Sequence, residues 1–271
     1  MCINWDSLRL VYEENFKTDL ELGEWANENN PYKKAWQPFE ATTSARNPDA
    51  TKKCYLTPNN VMVKDGQMTL LATETDEYYM GTELRTKEFY DYGYFEFDVK
   101  INSSMGICPA LWFVASRHNK SQIEYEFDLM ECFGRTPDAV KGTVLAHTYP
   151  NGEYTGTQWR FVYHRLSTEK SPVEGNCSFF GADWGNEFHK FAFDWQPDSL
   201  TWYIDDKPVL FVKPSAGEDG KFLFDEPMIA IMTVYSGVDV CSPKTGLPDQ
   251  TTDWENGNSM TVRSIKFYKY K

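Results

Sequence analysis

Tyr94-Phe95-Glu96-Phe97-Asp98-Val99-Lys100-Ile101 alternates apolar with charged residues, so that Phe95, Phe97, Val99 and Ile101 share one face. Successive side chains of a strand point to opposite faces, and this period of two reads as a strand with one face in a core. The alternation recurs on either side of it, at Met68, Leu70 and Ala72, at Trp202 and Ile204, and at Ile265 and Phe267 around Lys266. Turn-forming runs such as Lys64-Asp65-Gly66 and Gln196-Pro197-Asp198-Ser199 separate these stretches. No long helical period competes, and no low-complexity linker or fixed-length repeat interrupts the chain. The pattern implies an all-β sandwich of two antiparallel sheets, read as a single domain over residues 1–271. Two polar stretches, roughly 23–54 and 148–187, read as long loops, and ordered loops of that length usually carry function.

Composition narrows the function classes. The chain has 27 Lys+Arg against 40 Asp+Glu, a formal net charge of −13. Nucleic-acid backbones are held by clustered cations, so no nucleic-acid partner is expected. No run approaches the roughly 18 apolar residues that a membrane-spanning helix needs. Aromatic residues reach 16%, which exceeds the expected need of a core this size, and flat aromatic faces suit the C–H faces of sugars. Six cysteines, at 2, 54, 108, 132, 177 and 241, form no C-x-x-C pair and have no histidine at ligand spacing, so no metal site and no cofactor are expected. Disulfides and buried free thiols both remain open for them.

The chemistry concentrates in Glu124-Tyr125-Glu126-Phe127-Asp128-Leu129-Met130-Glu131-Cys132-Phe133-Gly134. In a regular strand Glu124, Glu126 and Asp128 share a face, while Tyr125, Phe127 and Leu129 face the core. Strict alternation would put Met130 beside the carboxylates and Glu131 behind them. One extra residue in a β-bulge would return Glu131 to the acidic face. Two readings follow: a solvated acidic face with Glu131 on the other side, or paired carboxylates. Retaining glycosidases need two carboxyl groups about 5–5.5 Å apart, one to attack the anomeric carbon and one to protonate the leaving oxygen.

Glu126-Phe-Asp128-Leu-Met-Glu131 resembles the E-x-D-x-x-E signature of glycoside hydrolase family 16, in the bulged form of its laminarinase and agarase-like branch. Further segments match in the family's order. Tyr92-Gly-Tyr-Phe-Glu-Phe resembles its Y-G-x-F-E-x strand, Pro109-Ala-Leu-Trp112-Phe its P-A-F-W-L segment, and Lys141-Gly-Thr-Val-Leu-Ala-His147 the strand that bears a cleft histidine. The stretch from Phe188 to Tyr203 resembles its aromatic hairpin, and Met260 to Tyr268 its closing strand. The resemblance spans nearly the whole chain. It departs at Cys108, where the family usually has tryptophan, and at Met232 and Ser236, where asparagine and glycine are usual.

The resemblance implies a β-jelly-roll, concanavalin-like sandwich with a glycan cleft on its concave sheet. Glu126 would be the nucleophile, Glu131 the acid/base, and Asp128 the residue that holds the nucleophile's geometry. Trp112 and His147 would bind substrate, and Trp159 and Arg160, from their place in the second long stretch, would build further subsites. The implied activity is endo-acting, retaining hydrolysis of β-1,3- or mixed-linkage β-glucan. Agarase- or porphyranase-like cleavage of β-galactans or mucin- and keratan-type glycans is the alternative, and a non-catalytic glycan-binding module a further one. The expected partner is a polysaccharide or oligosaccharide, and the expected state is a monomer. The residues after Met1 show no leader, yet such polymers lie outside cells, so an extracellular or cell-surface location is expected, for which Cys2 would suit a lipid anchor. Relatives often hold a structural calcium with an acid near the first strand and an aspartate in the last. Asn15 and Arg263 stand at those places, and a guanidinium there opposes a cation, so no calcium is expected.

Overall fold

The period-two segments become strands of two stacked sheets in the computed structural model, which describes residues 3–43, 52–115, 123–148, 156–166, 177–179, 181–213, 226–237 and 246–271. Of residues 42–43, 123–124, 144–148, 156–166 and 177–179 only the backbone is described. The back sheet contains β1 (Leu8–Glu14), β5 (Val61–Lys64), β6 (Gln67–Leu71), β9 (Gly93–Ser103), β15 (His189–Gln196), β16 (Ser199–Ile204), β17 (Lys207–Val212) and β19 (Asn258–Tyr270). The front sheet contains β2 (Trp36–Pro38), β3 (Ala41–Thr43), β4 (Lys53–Leu56), β7 (Thr73–Glu74), β8 (Tyr78–Thr86), β10 (Ile107–Ala115), β11 (Ile123–Cys132), β12 (Ala139–Thr148), β13 (Gly156–Leu166), β14 (Cys177–Phe179) and β18 (Met228–Ser236). The back order is β17-β16-β15-β9-β19-β6-β5, with β1 also on β19. The front order is β14-β13-β12-β11-β10-β18-β8-β4-β3, with β2 and β7 also on β8. Pairing is antiparallel except for β13 with β14 and β4 with β8.

Both stretches read as loops contain strands. Residues 23–54 hold a 3-10 turn at Pro31–Lys34 and then β2, β3 and the start of β4. Residues 148–187 supply β13 and β14, which widen the front sheet beyond β12. Polar, glycine-containing sequence concealed them because edge strands need little apolar alternation.

Phe95, Phe97 and Val99 are fully buried between the sheets, as their shared face required. Phe95 meets Phe113 of β10 at 5.2 Å and Phe193 of β15 at 5.1 Å between ring centroids, and Phe127 of β11 meets Trp195 at 5.3 Å. Such ring pairs add to the area that aromatic side chains bury. Much of the aromatic excess is therefore spent on joining the sheets. The outer face of β9 is covered as well: Tyr94 is buried, with Trp5 packed edge-on at 5.2 Å. Glu96 beside it is pushed upward by burial, against the pull of Lys190 and Lys266 at 3.9 and 3.8 Å.

The β15–β16 side of the back sheet carries a pH-sensitive clasp. Asp205 and Asp206 both have positive φ (49° and 64°), as a two-residue hairpin turn with the sheet's twist requires. From that turn Asp205 takes a 2.8 Å hydrogen bond with His189 Nδ1 and accepts another from the Lys190 amide. Burial would lower the imidazole's affinity for protons, but the bond and charge of Asp205 outweigh it and raise it. A raised imidazole contributes stability that is complete below its ordinary value of about 6.5 and is lost as pH rises through the raised value. We expect thermal midpoints of the wild type, followed from about pH 6 to 9, to lose up to about 1 kcal/mol, or roughly 2–4 °C, that Asp205→Asn does not lose. Parallel pH curves for the two proteins would refute the clasp.

Candidate active site

β11 lies between β10 and β12, and its register against both shows how the acidic run is presented. Val114, Trp112 and Ala110 of β10 stand opposite Glu126, Asp128 and Glu131, and Leu145, Thr143 and Lys141 of β12 stand opposite the same three residues. Both neighbours advance by two where β11 advances by three, so one extra residue of β11 is accommodated between Asp128 and Glu131. Leu129 and Met130 are both fully buried, which places two consecutive side chains on the core side. This is the bulge that the spacing required, and it returns Glu131 to the face of Glu126 and Asp128.

The bulge is held from both sides. The indole of Trp202 on β16 reaches across from the back sheet and donates a 3.1 Å hydrogen bond to the main-chain oxygen of Asp128. Past the strand, Gly134 packs so closely on Ser104 that a Cβ there would lie 1.7 Å from the Ser104 carbonyl oxygen, so only glycine fits.

Asp128 is 5% exposed. Burial, then the charges of Glu131 and Glu126, push its carboxyl well above the usual range against the pull of Lys141, and it is hydrogen-bonded with Glu131. Burial and the two neighbouring charges thus favour a proton on Asp128, between the two glutamates. Lys141 places its ammonium 2.6 Å from Glu131 Oε2 and 4.5 Å from the centre of the Phe133 ring. Trp112 Nε1 and Thr143 Oγ1, on the strands either side of Asp128, are buried with no hydrogen-bond partner. A buried polar atom left unpaired costs about 1–3 kcal/mol, and two such atoms flank this one carboxyl.

The registers extend this face into two rows. Glu83, Thr233, Ala110, Glu131 and Lys141 form one across β8, β18, β10, β11 and β12, and Arg85, Ile231, Trp112, Asp128 and Thr143 the next. At the β8 end Glu83 bonds both the Tyr235 hydroxyl and Arg85, whose guanidinium lies 3.8 Å above the Phe39 ring. Sequence reasoning missed Lys141, Glu83, Arg85 and Tyr235. For Lys141 the signal was present: it lies on the same strand as His147, six residues before it.

Trp112 lies in the row of Asp128. His147 lies on β12, and Trp159 and Arg160 lie on β13 rather than in a loop, but the side chains of these three are outside the described residues. Cys108 is buried under Phe133 and Tyr235, and Met232 faces the core, so the Met232 departure changes packing between the sheets and not the front face. Cys54, Cys108 and Cys132 are all buried. Arg263 is paired with Asp98 at 2.6 Å. Among the described residues no three His, Cys, Asp or Glu side chains converge as metal ligands, and no helix is long and apolar enough to cross a membrane.

Residues 49–256 match the family described as glycosyl hydrolases family 16. Among curated relatives, the glucan endo-1,3-beta-glucosidase A1 of Niallia circulans is 24% identical over 252 residues, 85% of this chain and 34% of that protein. The beta-glucanase of Rhodothermus marinus is 28% identical over 162 residues, 56% of this chain and 50% of that protein. The chain thus spans between a third and a half of the length of these two relatives. Among solved structures, the catalytic domain of an endo-1,3-beta-glucanase (laminarinase) from Thermotoga petrophila superposes with a TM-score of 0.71 at 22% identity, over 97% of this chain and 98% of that one. The endo-beta-1,3-glucanase of Pyrococcus furiosus gives 0.70 at 22% identity, over 97% and 95%. At these identities the structural likeness speaks for the fold.

Proposed function

Since the chain belongs to the glycosyl hydrolases family 16, we propose that it is an endo-acting, retaining hydrolase of β-1,3- or mixed-linkage β-glucan. The observation that carries this reading is the bulged β11, which presents Glu126, Asp128 and Glu131 together on the front face. The two relatives named for glucanase activity support the choice of substrate.

In this reading Glu126 attacks the anomeric carbon as the carboxylate, while Glu131 gives its proton to the glycosidic oxygen as the C–O bond breaks. A covalent glycosyl-Glu126 ester and a shortened glycan result. Glu131, now ionised, takes a proton from water, whose oxygen attacks the anomeric carbon and releases Glu126 with overall retention. Before the reaction that proton rests on Asp128, between the two glutamates, so that three neighbouring carboxyl groups need not all ionise. Trp112, with its unpaired indole N–H, binds a sugar unit beside the bond cleaved, and His147, Trp159 and Arg160 complete the subsites. Residues 1–271 work as one catalytic domain, monomeric, acting outside the cell or at its surface in polysaccharide breakdown.

The test is product release from laminarin, mixed-linkage glucan, agarose, porphyran, carrageenan and mucin glycans, with the anomer of the first product read by NMR. We expect β-configured oligosaccharides from laminarin or mixed-linkage glucan. Release only from a galactan or mucin glycan would move the substrate to the agarase-like branch. Binding to a glycan without release from any would make the chain a binding module, and an α-configured first product would rule out the covalent route.

A further inference from the structure

We propose that Lys141 is a positioning residue for the acid/base carboxylate: its ammonium fixes Glu131 and sets the pH range over which that group carries a proton. The inference rests on the assignment of Glu131 as acid/base made above. Lys141 stands directly opposite Glu131 in the β11–β12 register, and its ammonium lies 2.6 Å from Oε2. The pair is mostly withdrawn from water, with 11% and 15% of the two side chains exposed, and the Phe133 ring packs 4.5 Å from the ammonium. In such a setting an ion pair is screened little, and each partner governs the other's charge.

A general acid must hold its proton until the leaving oxygen takes it, and a cation at contact distance works against that. The described groups around Glu131 set the balance. Asp128 and Glu126 share its strand face, Lys141 faces it from β12, and β10 presents uncharged Ala110 with the buried Cys108 thiol further along. Tyr235 and Glu83 lie beyond β10, bonded to each other. Three carboxyl groups thus face one ammonium. That ammonium lets two of them stay ionised with a single proton on the third, and the hydrogen bond between Asp128 and Glu131 is where that proton can pass. The proton resting on Asp128 is transferred to Glu131 and from there to the leaving oxygen. The proton that Glu131 later takes from the attacking water returns to Asp128, so the count closes over the cycle.

An opposite charge at this range favours the ionised form of a carboxyl by about 1–3 pH units. Removing it therefore moves the upper limb of activity to higher pH. The experiment compares wild type with Lys141→Met, which keeps the buried stem, and Lys141→Arg, which keeps the charge. Each is assayed as kcat/KM against pH on laminarin oligosaccharides. In parallel, the side-chain carboxyls of 13C-labelled glutamate are titrated by NMR, with Glu131→Gln identifying the Glu131 resonance. Lys141→Met should shift the upper limb and the Glu131 titration upward by about 1 pH unit or more, while Lys141→Arg stays within a few tenths of wild type. If Glu131 titrates at the same pH in wild type and Lys141→Met, the inference is overturned, whatever happens to rate. If wild type cleaves no glucan, the functional reading fails on its own and the NMR titration still decides Lys141. Should Lys141→Met not fold, Lys141→Gln takes its place with the same expected shift.

Discussion

Glu126→Gln should lower kcat on the cleaved glycan by a factor on the order of 10^4 or more, with substrate binding retained, because an amide cannot form the glycosyl ester. The substitution preserves shape and removes only the charge, so circular dichroism and the thermal midpoint should stay near wild type. Glu126→Ala offers a second reading of the same prediction. It opens room for a small anion, and added azide should restore turnover by attacking the anomeric carbon itself, giving a glycosyl azide of inverted configuration. An α-glycosyl azide from Glu126→Ala, and none from Glu131→Ala, would identify the nucleophile. Full activity in Glu126→Gln would exclude Glu126 from the chemistry.

Trp202→Ala should cost about 3–5 kcal/mol, the range for truncating a fully buried large aromatic side chain. For a chain of this size that is a fall of roughly 10 °C in the thermal midpoint. Trp202→Phe separates packing from hydrogen bonding. Phenylalanine still stacks near Phe193 and Phe127, which lie 6.0 and 6.2 Å from the indole, but it leaves the Asp128 carbonyl without the indole donor. We expect a loss of about 1–3 kcal/mol and a fall in kcat greater than the change in KM, since the group released is the backbone that aims Glu126 and Glu131. A Trp202→Phe protein with wild-type kcat would mean that the bulge is held by its own strand pairings alone.

The sandwich was legible because its central strands follow a strict period of two. Phe95, Phe97 and Val99, or Met68 and Leu70, have no other way to share an interior. The bulge was legible for a related reason: Glu126-x-Asp128-x-x-Glu131 cannot put all three carboxylates on one face without it. What stayed hidden has physical causes too. β13 and β14 lie at an edge, where pairing rests on backbone bonds and leaves little imprint on composition. Glu83 and Arg85 come from a strand distant in sequence, and only the register brings Glu83 into the row of Glu131. The surplus of aromatics pointed toward sugars, yet a two-layer sandwich also needs rings long enough to meet midway between its sheets.

The buried pair Leu129–Met130 also bears on how the motif can change length. Deleting either residue would shorten the strand by one and erase the bulge, and the three acids would then fall at even steps on a regular strand, still on one face. An in-frame loss of a single codon would trade one interior side chain for a straighter β11, leaving the order and facing of the carboxylates intact. The compact and the expanded spacing are thus neighbours separated by one mutational event. The indole donor from the opposite layer would be the part left to readjust.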